Sequence, residues 1–224
     1  MLVLALDSAA GASVALGSID PATAAATILA DRISKDSRSH AETMAGLVQD
    51  CLKQAAVEPH QLCSIITGTG PGPFTGLRIG IMTARTLAFA WQKPLYGLMS
   101  LYSLAEEVHQ QARDQDQQRF LVASDARRRE VYWAEFSLEE TGYRLIRGPL
   151  VGPARDLPKL PAYGQGAGLY PADLNPVAGY QQVQPQAASL LKAAAALSIE
   201  NLSQQTSPLY LRESDAQVPQ QVKH

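Results

Sequence analysis

The spacing of apolar and polar positions changes several times along the chain, and each change marks an element. "LVLALD" (Leu2 to Asp7) is an apolar run closed by an acid, the pattern of a buried strand. "ASVALGS" and "AATILADRIS" read as two more strands, parted by turn residues around Asp20 and Pro21. Three strands with short connections predict a meander. After Ser39 the period lengthens. Met44, Leu47, Val48, Cys51, Leu52 and Ala55 fall on one stripe of an amphipathic helix. Ser39 suits its N-cap, and Glu42 completes a capping box. "LCSIITG" returns to a buried strand. It leads through the loop of "GTGPGPFTGLRIG" (Gly68 to Gly80) into a second helix, from about Thr75 to Trp91. "PLYGLM" is a strand and "SLYSLAEEVHQQA" a third helix, with Ser100 as its N-cap. "RDQDQQR" is a polar connector.

Beyond that connector the pattern restarts. "FLVASDARRREVYWAEF" echoes "LVLALDSAAGASVALGS": an apolar strand ends in an acid, Asp125 or Asp7, and another strand follows a short turn. "YRLIRGPLV" supplies a third strand. The echo is a weak internal repeat. It predicts an α/β protein of two similar lobes with mixed sheets, divided into residues 1–115 and 116–224. The second lobe is reduced. Only "PQAASLLKAAAALSI" reads as a helix there, and the Pro- and Gly-rich stretch from Pro149 to Pro185 reads as mostly irregular.

Composition narrows the function. At 224 residues and 46% apolar residues the chain can build a substantial core. A net charge of -2 argues against a strong nonspecific grip on nucleic acid. Arg127, Arg128 and Arg129 form the one local basic candidate, and a solvated turn explains them as well. Cys51 and Cys63 form no CxxC pair, which fits a reducing cytoplasm. No apolar run is long enough for a bilayer, and the N-terminus lacks the basic region of a signal peptide. The expectation is a soluble cytoplasmic protein with no membrane association.

The Gly/Pro loop raises the question of a phosphate cradle. It has no GK[ST], and Pro71 and Pro73 carry no N–H. A candidate anion site is left at the helix start, on Gly72, Phe74, Thr75 and Gly76. The helix itself carries Gly76, Gly80, Ala84 and Ala88 at every fourth position, a small-residue stripe that spirals by roughly 40° per step. Glycine within a helix costs about 1 kcal/mol, tolerated where another backbone comes close. That backbone belongs either to the protein's own sheet or to a partner helix.

Catalytic and metal motifs are weak. His40 is followed at the fourth position by Met44, and His60 and His109 have no partner at ligand spacing. There is no GxSxG. Asp7 and Asp125 would form a vestigial nucleotide and Mg²⁺ site if both faced one cleft. On that basis an ATP-hydrolysing or phosphotransferring enzyme is the rival reading, although "DSAAG" after Asp7 is a thin substitute for a phosphate-gripping turn.

"ALDSA", "HAETM", "GTGPGPFTGLRIG", "DARRREVYWAEF" and "SPLYLRES", in this order, resemble the TsaB (YeaZ) family over nearly the whole chain. Pro73 stands where that family usually has Ser. The resemblance implies a two-lobed actin-like, ribonuclease H-like fold of the ASKHA type. It implies a non-catalytic subunit for threonylcarbamoyladenosine modification of tRNA beside the anticodon. Such a subunit binds and activates a TsaD-like transferase. TsaD carries a metal-binding HxxxH, whose counterpart here is His40 to Met44, with the second His lost. The implied partner surface lies on the first two helices. It maps to Met44, Leu47, Val48 and Cys51, and to Phe74, Gly76, Ile79, Gly80, Thr83 and Ala84. A TsaE-like ATPase would join the complex, a homodimer would form in isolation, and tRNA would be met only within the complex. No cofactor is expected on the chain itself, with room left for ATP or ADP with Mg²⁺ at the complex interface.

Overall fold

The computed structural model describes residues 1–34 and 40–212, with side chains from 43 onward in the second stretch. The capping pair Ser39 and Glu42 lies outside the described residues and side chains. The first half contains β1 (Leu2–Asp7), β2 (Ser13–Asp20), β3 (Ala25–Ile33), α1 (His40–Ala55), β4 (Ser64–Gly68), α2 (Phe74–Trp91), β5 (Leu95–Leu98) and α3 (Leu101–Asp114). Its sheet runs β3-β2-β1-β4-β5. The first three strands form the expected antiparallel meander, and β4 and β5 add in parallel. A parallel addition needs a crossover, and the helical periods of α1 and α2 supply the two crossovers.

The second half contains β6 (Arg119–Asp125), β7 (Glu130–Leu138), β8 (Tyr143–Pro153), β9 (Pro161–Tyr163), α4 (Gln165–Leu169), β10 (Asn175–Pro176) and α5 (Ala187–Ala196). Its sheet order is β10-β9-β6-β7-β8, the same topology as the first. β6, β7 and β8 pair antiparallel; β9 and β10 add in parallel. The echo between the halves is therefore structural. This is the two-lobed actin-like fold, with the second lobe reduced. The stretch expected to be irregular holds the end of β8 and the short elements β9, α4 and β10. They are too brief to leave a periodic pattern in the sequence.

Alternation along β1 shows how the core is layered. Leu4 and Leu6 point to the side of α1 and α2, where they meet Met44, Val48, Cys51 and Ala84. Val3 and Ala5 point to the other side, onto Leu190, Leu191 and Ala194 of α5. That helix belongs to the second half of the sequence but covers the first sheet. Conversely, α3 belongs to the first half, yet its Leu101, Leu104 and Val108 pack on Phe120, Val122 and Phe136 of the second sheet. The halves thus exchange a helix each, and a lobe defined by packing is not one continuous stretch of sequence.

Candidate functional site

The Gly/Pro loop is pressed onto the turn after β1. A Cβ on Gly72 would stand 2.6 Å from the Ala9 carbonyl oxygen, and one on Gly80 would overlap the Ser8 hydroxyl. The small residues of α2 answer to the protein's own backbone: Gly76, Gly80, Ala84 and Ala88 are all buried. Pro73 occupies the N-cap of α2 and supplies no capping side chain. Ser100 makes no cap bond at α3 either. Its hydroxyl accepts the Gly70 N–H at 3.1 Å and pins the loop.

This packing corrects the mapping of a partner surface onto the two helices. Met44, Val48 and Cys51 are buried against the sheet, and the Cys51 thiol donates to the Val14 carbonyl at 3.6 Å. Gly76, Gly80 and Ala84 also face inward. A stripe of side chains that fits a partner helix fits the protein's own sheet equally well, and here the sheet takes it. Leu47, Ile79 and Thr83 are half-buried, and Phe74 is exposed. The outward stripe of α2 is instead Ile79, Met82, Thr86 and Phe89, spaced as one helical face. Phe89 is 87% exposed and Met82 54%, the most exposed large apolar side chains among the described residues.

The two strand-ending acids occupy equivalent places but different surroundings. Asp7 Oδ1 accepts the Ala9 N–H at 2.7 Å, and Asp125 Oδ1 accepts the Arg127 N–H at 2.7 Å, the same local turn in both halves. Asp7 is 0% exposed, its Oδ2 has no hydrogen-bond partner, and the Gly68 backbone closes over it. Burial pushes its carboxyl up to about 6, against the Ala9 amide and the nearby Ser100 hydroxyl, which favour the charged form. Asp125 lines the inter-lobe cleft, and its Oδ2 lies 3.1 Å from the Arg127 guanidinium. The carboxylates therefore do not face one cleft, and the paired Mg²⁺ site expected from them is not built. The enclosed Asp7 has no room for a hydrated cation. Among the described residues, no cluster of three His, Cys, Asp or Glu side chains is placed to hold a metal.

Two adjoining cavities occupy the cleft, of about 390 and 310 Å³. They share Pro73, Asp125 and Arg127 as walls. Of the candidate anion-binding residues, Gly72 and Phe74 line the larger cavity, Thr75 is exposed beside it, and Gly76 is buried under the helix.

One wall of the larger cavity comes from a segment whose role the sequence pattern does not show. Residues 203–212 run back across both halves. Ser203 bridges to Gly97, and the Leu209 N–H donates to the Thr69 carbonyl at 2.8 Å. Arg85 donates to the Thr206 hydroxyl at 2.8 Å. The Tyr210 ring stacks on Phe74 at 4.6 Å, and the Arg78 guanidinium sits 3.8 Å above Phe74. Arg212 pairs with Glu130 and donates to the Ala126 carbonyl, which ties the tail to the second lobe. The only signal in "SPLYLRES" is its family resemblance, because an extended strap with few sheet partners has no period of its own.

Residues 27–167 match the family model described as TsaD, tRNA N6-adenosine threonylcarbamoyltransferase. A Pseudomonas aeruginosa protein described as similar to the peptidase YeaZ superposes with a TM-score of 0.77 at 32% identity, over 94% of this chain and 99% of that one. YeaZ from the same organism gives 0.74 at 29% identity, with the same coverage of 94% and 99%. The chain belongs to this family, in its TsaB/YeaZ branch. An uncharacterised Mycobacterium bovis protein is 34% identical over 208 residues, 88% of this chain and 92% of the relative. The Escherichia coli tRNA threonylcarbamoyladenosine biosynthesis protein TsaB is 37% identical over 105 residues, 47% of this chain and 44% of its own. In this TsaB-type chain Met44 of α1 is fully buried against the sheet.

Proposed function

We propose that this chain is a non-catalytic subunit of a tRNA threonylcarbamoyladenosine-modifying complex, and that it binds and activates a TsaD-like transferase. The observation that carries the reading is the apolar stripe Ile79, Met82 and Phe89 on the outward face of α2. A phenylalanine that stands almost wholly in water on a rigid helix is an unmet anchor for a partner. Names of relatives supply the process: the Escherichia coli protein and its Bacillus subtilis counterpart are tRNA threonylcarbamoyladenosine biosynthesis proteins. The sealed Asp7 supports a role without nucleotide hydrolysis at the strand-end acids. In this reading a second copy of the chain covers the stripe when the transferase is absent, and a TsaE-like ATPase joins through the complex. The chain meets tRNA within that assembly, in the cytoplasm.

Co-purification with the cognate TsaD-like protein tests the reading. A stable complex that raises modification activity is the expected result. If the Phe89→Glu chain still forms that complex with unchanged affinity, the α2 stripe is not the docking face.

A further inference from the structure

Arg78, Met82, Arg85 and Phe89 follow one another at i, i+4, i+7 and i+11 along α2, so they share one helical face, and all four are exposed. Between this face and the C-terminal strap lies a groove of about 400 Å³. Buried Ile81 lies at its base, Met82, Pro208 and Tyr210 line it with apolar surface, and Arg78 and Arg85 form its polar rim. The strap fixes both guanidinium groups. Arg78 Nε donates to the Tyr210 hydroxyl at 2.8 Å, and the group sits over the Phe74 ring. Arg85 Nε donates to the Thr206 hydroxyl at 2.8 Å, and its Nη2 to the Thr206 carbonyl at 3.1 Å. All these partners are neutral, so they orient the two cations without cancelling their charge. Among the described residues neither arginine has a carboxylate at ion-pair distance, and α2 itself contains no Asp or Glu.

We propose that this groove seats an apolar side chain flanked by carboxylates from the TsaD-like partner, and that Arg78 and Arg85 make the face select that acidic partner over a second copy of this chain. The groove continues the line of Phe89 and Met82, so an element lying along the outward stripe of α2 reaches it. Its lining suits an apolar side chain, and its rim holds two cations that this chain leaves without a counter-charge. A surface that covers the rim takes both guanidinium groups out of water, which is costly unless it brings acids of its own. A second copy does not bring them. Two-fold pairing sets one patch against the same patch, so Arg78 and Arg85 would meet their own counterparts. Phe89 therefore gives both partners an apolar anchor, while the arginines favour one of them. The proposal rests on the reading that α2 docks a TsaD-like transferase, and it adds the chemistry of the surface that α2 receives.

The test uses the full chain and the cognate TsaD-like protein. Affinity is measured by calorimetry over a salt series, and self-association of the isolated chain by sedimentation. Arg78→Gln combined with Arg85→Gln removes both charges and leaves Phe89 in place. This double variant should bind the transferase on the order of tenfold more weakly at low salt. Its affinity should also respond less to added salt, because fewer charges remain to be screened. Self-association should hold or strengthen. Arg78→Lys combined with Arg85→Lys keeps the charges and gives up the forked bonds to the strap, and it should retain most of the salt response. Parental affinity and salt response in the glutamine variant would overturn the proposal; if Phe89→Glu still loses the complex, the proposed function stands. Equal losses in the lysine and glutamine variants would also overturn it, since the arginines would then act only by holding the strap. So would a matching loss of self-association, which would make the groove a contact between copies of this chain. A parent chain that does not bind the transferase at all would remove the proposed function, and this inference with it.

Discussion

The α-carbon of Gly80 lies against the side chain of Ser8, so closely that a β-carbon at position 80 would overlap the Ser8 hydroxyl and stand 3.0 Å from its Cβ. This contact joins the first turns of α2 to the turn after β1. It makes the glycine a requirement of the fold, where the spacing alone leaves a partner helix equally open. Gly80→Ala would gain about 1 kcal/mol in helix propensity. Overpacking a buried contact with no flexible neighbour costs typically 1–3 kcal/mol. The expected net effect is destabilisation by about 1 kcal/mol, read as a lowered melting temperature. Partner affinity measured well below that temperature should be unchanged. A variant that is as stable as the parent but no longer assembles would return the stripe to the interface.

Phe89 makes the complementary case. It lies three helical positions beyond Thr86 and seven beyond Met82, on the face that the sheet does not cover. Its replacement by Glu removes exposed apolar surface without disturbing a core contact. Stability should stay within about 0.5 kcal/mol. Self-association, followed by light scattering over a concentration series, should weaken, and so should capture of the TsaD-like protein. Met82→Glu should act in the same direction and more weakly, since Met82 is less exposed.

The contrast between these residues shows what was legible in the sequence. Period-two and helical spacing located most of the strands and long helices, and the echo between Asp7 and Asp125 predicted two similar lobes with mixed sheets, which the structure gives one strand order. Spacing also found the small-residue stripe of α2. It could not say which side of the stripe the sheet would occupy, because Gly76, Gly80 and Ala84 suit any close backbone. The helix exchange was illegible for a related reason: the apolar faces of α3 and α5 specify burial without specifying a sheet. Asp7 and Asp125 look alike in sequence. Only the position of Gly68 over one carboxylate separates a sealed acid from one that lines the cleft.

The strap at the end of the described chain should act as a clasp. Tyr210 stacks on Phe74 and its hydroxyl accepts from Arg78 Nε at 2.8 Å, while two positions later Arg212 holds the β6–β7 turn. Tyr210→Ala removes one ring of a stacked pair, an interaction of about 0.5–1.5 kcal/mol beyond the buried area. The expected loss is about 2 kcal/mol in chemical unfolding. Hydrogen exchange should rise at the start of α2 and across the Arg127–Arg129 turn. If exchange changes only near Tyr210 itself, the strap does not couple the lobes.

Asp7 gives the protein a defined pH dependence. Its carboxyl titrates near 3.8 in the unfolded chain and about 6 when folded, because burial disfavours the charge. Between these values the native state keeps a proton that the unfolded state has lost. Stability from this group is therefore complete below about pH 4 and falls as pH rises through 6. Above that, the ionised buried carboxylate costs about 3 kcal/mol relative to its protonated form. Asp7→Asn keeps an oxygen for the Ala9 N–H and cannot ionise. The variant should gain on the parent as pH is raised from 4 to 7.5, by up to that amount, in urea unfolding at matched ionic strength. A difference between the two chains that is flat across this range would mean that Asp7 finds a donor or a water the fold does not show. The raised carboxyl would then be no source of instability at neutral pH.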